Sequence, residues 1–164
     1  MRATSNKLVV TAHGDREIRI IRTFDAPRRL VFDAFTKPAL VKRWLTGPDG
    51  WSLPVCEIDL KPGGTFRYVW KNTEGTEMGM GGTYREIDAP DRIVHDELFD
   101  EDWTGGQAEV TTLFVEDGGR TTVTTSVVYS STEARDAVLK SPMESGIAIG
   151  YDRLEGILAS EPVK

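Results

Sequence analysis

From Met143 to Leu158 the apolar residues recur with the period of a helix. Met143, Ile147, Tyr151, Leu154 and Leu158 fall on one face, with Gly150 and Ile157 at its edge. Glu144, Asp152, Arg153 and Glu155 take the other positions, which predicts a wet opposite face. Glycines 146, 150 and 156 interrupt the helix. Each costs about 1 kcal/mol relative to alanine, so tertiary packing must hold it. Close packing is the expectation for Gly156, which lies off the stripe. Gly146 and Gly150 flank the buried face and are read as bordering a cavity.

Elsewhere the period is two. Lys7 to Ala12 has strand composition, and Gly14-Asp15 turns it back into Arg16–Phe24, where Ile18, Ile20 and Phe24 share a parity. Arg22 shares it too and is expected near the strand end, satisfied by a carboxylate. Asp25-Ala26-Pro27 starts a helix, with the acid as cap and proline in the first turn. That helix runs from Arg28 to Thr36 and turns Val31, Phe32 and Phe35 inward. A second short helix opens at Pro38 and ends near Trp44, before the loop Gly47-Pro48-Asp49-Gly50. Then come Leu53–Leu60, Thr65–Lys71, Thr76–Ile87, Arg92–Asp100, Gln107–Glu116 and Thr121–Tyr129, all strand-like and joined by tight turns. Glycine in Thr76–Ile87 predicts a bend or bulge. Ser130-Ser131-Thr132 reads as the N-cap region of a short helix reaching Lys140.

Strands joined by tight turns make an antiparallel meander, and one helix covers such a sheet only if the sheet curls around it. The predicted fold is α+β. A curved antiparallel β-sheet of six to seven strands wraps a long C-terminal α-helix, with two short helices after the first strand. Residues 1–15 form an N-terminal extension, a candidate extra strand, and 16–160 a single domain.

Composition narrows the function classes. The chain has 164 residues, 39% hydrophobic and 28% charged, with a net charge of −6 and no basic stripe. That argues against nucleic-acid binding. No apolar run reaches the length of a membrane span, and residues 1–6 lack the apolar core of a signal peptide. Cys56 is alone, so no intramolecular disulfide forms. Together these features point to the cytoplasm. Lys7–Ala12 or another open sheet edge offers a homodimer contact.

Six motifs in order carry a family likeness: Arg22-Thr23-Phe24-Asp25-Ala26-Pro27, Val31-Phe32-Asp33-Ala34-Phe35, Lys42-Arg43-Trp44, Gly63-Gly64-Thr65-Phe66, Gly82-Thr83-Tyr84-Arg85-Glu86-Ile87 and Tyr151-Asp152-Arg153-Leu154. The chain resembles the START-like, or SRPBCC, superfamily over about residues 16–160. Within it the match is to the branch of homologues of the activator of the ninety-kilodalton heat-shock-protein ATPase. The resemblance implies a helix-grip fold with a cavity between the last helix and the sheet. Members of the superfamily bind lipids, steroids, polyketides or other apolar molecules, and a minority are cyclases or related enzymes.

Catalytic signatures are sparse. His13 sits in a turn and reads as solvated. His95 and Glu97 share a strand face that Asp96 does not, and a surface strand is the preferred reading. No third ligand with zinc-type spacing accompanies them, and Cys56 reads as a buried, inert thiol. No metal or cofactor is expected, and Met78-Gly79-Met80-Gly81-Gly82 lacks the spacing of a nucleotide loop. The aromatic and methionine residues say more. Trp44, Trp51, Phe66, Tyr68, Trp70, Met78, Met80, Tyr84 and Trp103, with Ile147, Gly150, Tyr151 and Leu154 from the helix, are the candidate ligand-binding residues. Trp51 and Trp103 are expected in loops at the pocket mouth, with Arg22, Tyr68, Tyr84 or Tyr151 as polar anchors. The first reading is non-catalytic binding of a small apolar or aromatic molecule. The alternatives are an enzyme of the cyclase, hydrolase or lyase kind, or a module that binds a heat-shock ATPase. The last is disfavoured, because the related activator's binding also involves a separate N-terminal domain and this chain has no room for one.

Overall fold

The structure is a computed structural model that describes residues 7–101 and 106–160. Its elements run in the order β1 (Val9–His13), β2 (Glu17–Phe24), α1 (Arg28–Thr36), α2 (Pro38–Trp44), β3 (Trp51–Ile58), β4 (Thr65–Asn72), β5 (Glu77–Asp88), β6 (Arg92–Phe99), β7 (Ala108–Asp117), β8 (Arg120–Val128), α3 (Thr132–Lys140) and α4 (Met143–Ser160). All strands join one antiparallel sheet in the order β1-β2-β8-β7-β6-β5-β4-β3. The fold is the expected α+β sheet with a C-terminal helix, but it has eight strands rather than six or seven. The added strand is β1, which pairs with β2 from Val9↔Ile21 to His13↔Glu17 through a turn at Gly14. It also forms one edge of the sheet, and Val9 there is exposed.

Alternation builds the inner face. In β2 the residues Ile18, Ile20, Arg22 and Phe24 are buried and their neighbours are not. Phe66, Tyr68 and Trp70 do the same in β4, and Val110 and Phe114 in β7. In β5 the glycines make room. A Cβ on Gly82 would come within 1.8 Å of the Asp96 carbonyl oxygen and 2.8 Å of the Phe66 ring. The bulge expected from these glycines lies just beyond, where the β5–β6 register shifts between Tyr84 and Glu86.

The helices cover this face unevenly. Ser131 caps α3 by accepting from the Ala134 amide at 3.0 Å. Arg135 pins α3 to the start of the sheet, donating to the Gly14 and Glu17 carbonyls at 3.2 and 3.0 Å. The expected cap of α1 is absent: Asp25 pairs with Arg120 at 2.7 Å instead, and the N-cap position is Pro27. Its carboxylate neutralises a cation on the neighbouring strand, where Phe24 pairs with Thr121.

Along α4 burial rises toward the C-terminus. Gly150, Tyr151, Leu154 and Leu158 are buried, whereas Met143 and Ile147 are half-buried and Ile149 is exposed. The helix glycines also sort differently from expectation. Gly150 is the close-packed one, since a Cβ there would stand 3.3 Å from the Trp44 carbonyl oxygen. Gly156 and Gly146 face open space, so close packing does not account for Gly156. The polar side of α4 is not simply wet. Arg22, 5% exposed, reaches out of the inner face to Asp152 at 3.1 Å and Glu155 at 2.6 Å. The carboxylate expected for Arg22 is therefore two, both from the helix. Arg153 donates to the Thr46 hydroxyl and the Gly47 carbonyl, each at 2.6 Å, and ties the α2–β3 loop to α4.

Two glycine substitutions test this account of packing. Gly156→Ala should raise unfolding stability by up to about 1 kcal/mol, because it gains helix propensity in open space. Gly82→Ala should lower it by more than that, because the new methyl meets a carbonyl it cannot displace cheaply. Urea melts of both variants measure the two signs.

Candidate functional site

The candidate residues separate into two groups. The first is a packed aromatic seam beneath the second half of α4. The Tyr151 ring meets Phe24, Phe35 and Trp44 at 5.4, 6.0 and 5.7 Å between centroids. Trp44 donates its indole N–H to the Ala34 carbonyl at 2.9 Å, and its backbone lies against Gly150. Leu154 is wholly buried beside them. This seam binds α4 to α1 and α2. Its rings satisfy one another, so Trp44, Gly150 and Leu154 serve as structure there.

The second group lies on the inner face of β4, β5 and β6. Phe66 touches Tyr68, Tyr84 and His95 at centroid distances of 5.2, 5.5 and 5.0 Å. Tyr84 and His95 stand opposite each other in the strand register and 6.0 Å apart as rings. Met80 is buried on the same face. Trp70 continues the row, edge-on to Tyr68 at 5.8 Å, with its indole N–H donated to the Leu45 carbonyl at 2.9 Å. Trp51 is the first residue of β3 rather than part of a loop, and it packs half-buried against Gly47. Met78 stands exposed near the start of β5. Ile147 is half-buried on the first half of α4. Trp103 lies outside the described residues.

Three residues join this second group that the sequence reading did not place there. His95 and Glu97 have side chains only 17% and 22% exposed, so the surface-strand expectation for them is corrected. His95 Nε2 lies 3.4 Å from a Glu97 carboxylate oxygen, and His95 Nδ1 is buried with no hydrogen-bond partner among the described residues. The third is Tyr129, buried just after β8. The available signal was parity. Ile93 and Phe99 share the alternation of His95 and Glu97, and both belong to the core or pack against it.

The phenols of this region keep their protons. Burial raises Tyr68 well above its ordinary range, with help from the nearby Tyr84, Cys56 and Glu97. Burial raises Tyr84, and Cys56 adds to the effect. Tyr129 is raised by burial and by the Glu97 charge. In the seam, burial pushes Tyr151 up to about 12 against the opposing pull of a hydrogen bond with Thr125 and the Arg22 charge. The Cys56 thiol is also raised, chiefly by burial. Near neutral pH the inner face therefore presents neutral phenol groups among apolar rings, beside the His95 and Glu97 side chains. Among the described residues no group of three His, Cys, Asp or Glu side chains is arranged to hold a metal.

A separate depression of about 290 Å³ opens beside Arg16, Asp96, Glu109 and Ser130. None of the candidate residues lines it, but Tyr129 does, and Tyr129 is also within reach of the Glu97 charge.

A family model for the Activator of Hsp90 ATPase homolog 1-like protein matches residues 25–159. The chain belongs to that family. Its START-like architecture is the one described above. A crystal structure of a Rhodobacter sphaeroides protein is similar at 31% identity, covering 94% of this chain and 100% of that one, with a TM-score of 0.89. A solution structure from Arthrobacter aurescens shares 23% identity over 94% of this chain and 93% of that one, at a TM-score of 0.81. An AHSA1-like protein from Aeromonas hydrophila shares 19% identity over 89% and 99%, at 0.69. The last two speak for the fold alone. No curated protein matches the chain. No helix among the described residues is long and apolar enough to cross a membrane.

The tyrosine shifts yield a pH dependence. All four tyrosines of the chain are buried and raised. In the unfolded chain a tyrosine ionises near pH 10. Above that pH the unfolded state binds fewer protons than the native state, so stability falls as pH rises from about 10 toward the native values. Phenolate absorbance should be nearly absent from the folded protein at about pH 10.5 and rise to about three quarters of its full amplitude after addition of urea.

Proposed function

We propose that the protein binds a small hydrophobic or aromatic molecule without transforming it. The ligand is lipid-, steroid- or polyketide-like in its apolar bulk. It lies between the inner face of β4–β6 and the half-buried first half of α4. One observation carries this reading: the sheet face there combines aromatic rings and Met80 with the hydroxyls of Tyr68 and Tyr84 and the unpartnered Nδ1 of His95. A surface built only for stability would be hydrocarbon, because each buried polar atom without a partner costs free energy. Rings supply apolar contact for a ligand, at about 25 cal/mol per Å² buried. Polar atoms set its orientation. Ile147 and Met143, less buried than the rest of their stripe, form the helix wall. The reading needs no cofactor. It places the protein in the cytoplasm, on the strength of the single cysteine and the charged, non-spanning chain.

A second reading, an enzyme acting on such a molecule, is favoured by the His95–Glu97 pair, since an imidazole oriented by a carboxylate is a general base in form. No comparable observation favours a chaperone-binding module.

Phenylnaphthylamine, a neutral aromatic dye that brightens in apolar surroundings, tests the binding reading. A saturable, single-site rise in its fluorescence is expected. Ile147→Trp, which enlarges the side chain on the proposed helix wall, should weaken binding at least about tenfold while leaving the melting temperature within a few degrees. No saturation, or unchanged binding in the variant, would overturn the site. Native mass spectrometry of freshly purified protein then identifies any molecule already carried.

A further inference from the structure

We propose that the protein self-associates through the open edge of β1. Two copies pair antiparallel about a two-fold axis at Thr11 and join their sheets into one.

The two edges of the sheet are built differently. β3, at one end of the strand order, carries the exposed Pro54 and a register shift between Ser52 and Val55. Proline withholds an amide and a bulge turns the strand away, so this edge rejects a further strand. β1, at the other end, pairs with β2 in unbroken register and has neither device. Among the described residues no strand lies on its other side. The backbone groups of β1 that face away from β2 are a template for one, and Val9 stands 45% exposed beside them.

The strand that fits this template is β1 of a second copy. β1 has five residues with Thr11 at its centre. Antiparallel pairing about that centre keeps the whole strand in pairs: Thr11 opposite the partner's Thr11, Val10 opposite the partner's Ala12, and Val9 opposite the partner's His13. Threonines directly opposite each other are a favourable cross-strand pair. Carried two residues further, the same register brings Lys7 to the turn that holds the partner's Asp15, and both positions are exposed. The two-fold axis makes that contact of opposite charges twice. The chain as a whole carries a net charge of −6, which sets its copies against one another. In residues 7–16, however, Lys7 and Arg16 outnumber Asp15, so repulsion between acids does not oppose contact there. Because β3 is blunted, the β1 edge cannot dock on the other end of a neighbour's sheet. The assembly therefore closes as an isologous dimer instead of growing into a fibre. Five residues of edge make an interface in the class below about 1,200 Å², which gives transient association.

Sedimentation equilibrium of the full chain, from about 5 µM to about 500 µM, should show a monomer–dimer equilibrium with no larger species. Thr11→Asp sets like charges opposite each other at the axis. It should weaken association at least about tenfold while the circular dichroism stays unchanged. Lys7→Glu should weaken association by a few fold, and adding Asp15→Lys to the same chain should restore it. That pair carries the test if Thr11→Asp does not fold. Ser52→Asp, on the β3 edge, should leave association as it was. A monomer over the whole range would overturn the proposal, and is the result expected if the edge takes only an extended peptide. Dimerisation that survives Thr11→Asp, that fails to recover in the charge-swapped chain, or that is lost with Ser52→Asp would overturn it as well.

Discussion

Gly150 lets the backbone of α4 settle against the carbonyl of Trp44, and the rest of the interior is arranged around that contact. A Cβ at this position would stand 3.3 Å from the Trp44 carbonyl oxygen, close enough that α2 or α4 would have to give by a few tenths of an ångström. With glycine, Tyr151 drops between Phe24, Phe35 and Trp44, and the four rings lock in tilted and edge-to-face contacts. The second half of the helix is thereby committed to α1, α2 and β2. It cannot also cover β4 to β6, which lie several strands away across the sheet. The first half of α4 is less committed, and its apolar residues Met143 and Ile147 are only half-buried.

Charge fixes the same helix from its other side. Arg22 occupies an inward position in β2 that an aliphatic residue would fill at lower desolvation cost. Its guanidinium instead bridges Asp152 and Glu155, one turn apart on α4, with its central carbon 5.3 Å from the Phe24 ring centre. Asp152 is largely solvated, so that contact contributes little by itself. The closer partnership with Glu155 sets the rotation of the helix about its axis. Arg153 adds the α2–β3 loop to the assembly, and Trp70 holds the same loop through the Leu45 carbonyl. Helix, loop and sheet thus form one frame, with the looser ground at the start of α4.

Much of this was legible in the sequence, because period two and period 3.6 are strong signals when turns separate them. The strands, the two short helices and α4 fell close to where the alternation put them. The misplaced features share one cause: they depend on what lies opposite in space. Asp25 has the right identity for a cap, but Arg120, remote in sequence and adjacent in the sheet, pairs with its carboxylate. Gly150 and Gly156 look alike in sequence, yet only one has a carbonyl across from it. Trp51 follows a glycine-rich loop and reads as part of it, although its backbone pairs with Asn72 in β4. In β6 both parities carry apolar residues, Ile93 and Phe99 on one and Val94 and Leu98 on the other. Alternation there does not choose a face, and His95 and Glu97 turn to the inner one rather than to the surface. Asp96, the residue between them, bonds Arg85 on the opposite face.

The tyrosines decide how the inner face should be understood. Phenylalanine at 68, 84 or 129 would bury the same ring without a hydroxyl to desolvate, and stability alone would favour that exchange. Leucine or phenylalanine at 95 would likewise remove an imidazole nitrogen that finds no partner among the described residues. Packing therefore explains the rings but not the polar atoms they carry. Buried polar atoms occur on both sides of the interior: among the described residues Arg22 Nε in the seam, like His95 Nδ1 on the sheet face, has no hydrogen-bond partner. What sets the sheet face apart is its phenols, three against the single one of the seam, whose hydroxyl Thr125 satisfies. A ligand with one polar end would use such hydroxyls, and packing alone does not call for them.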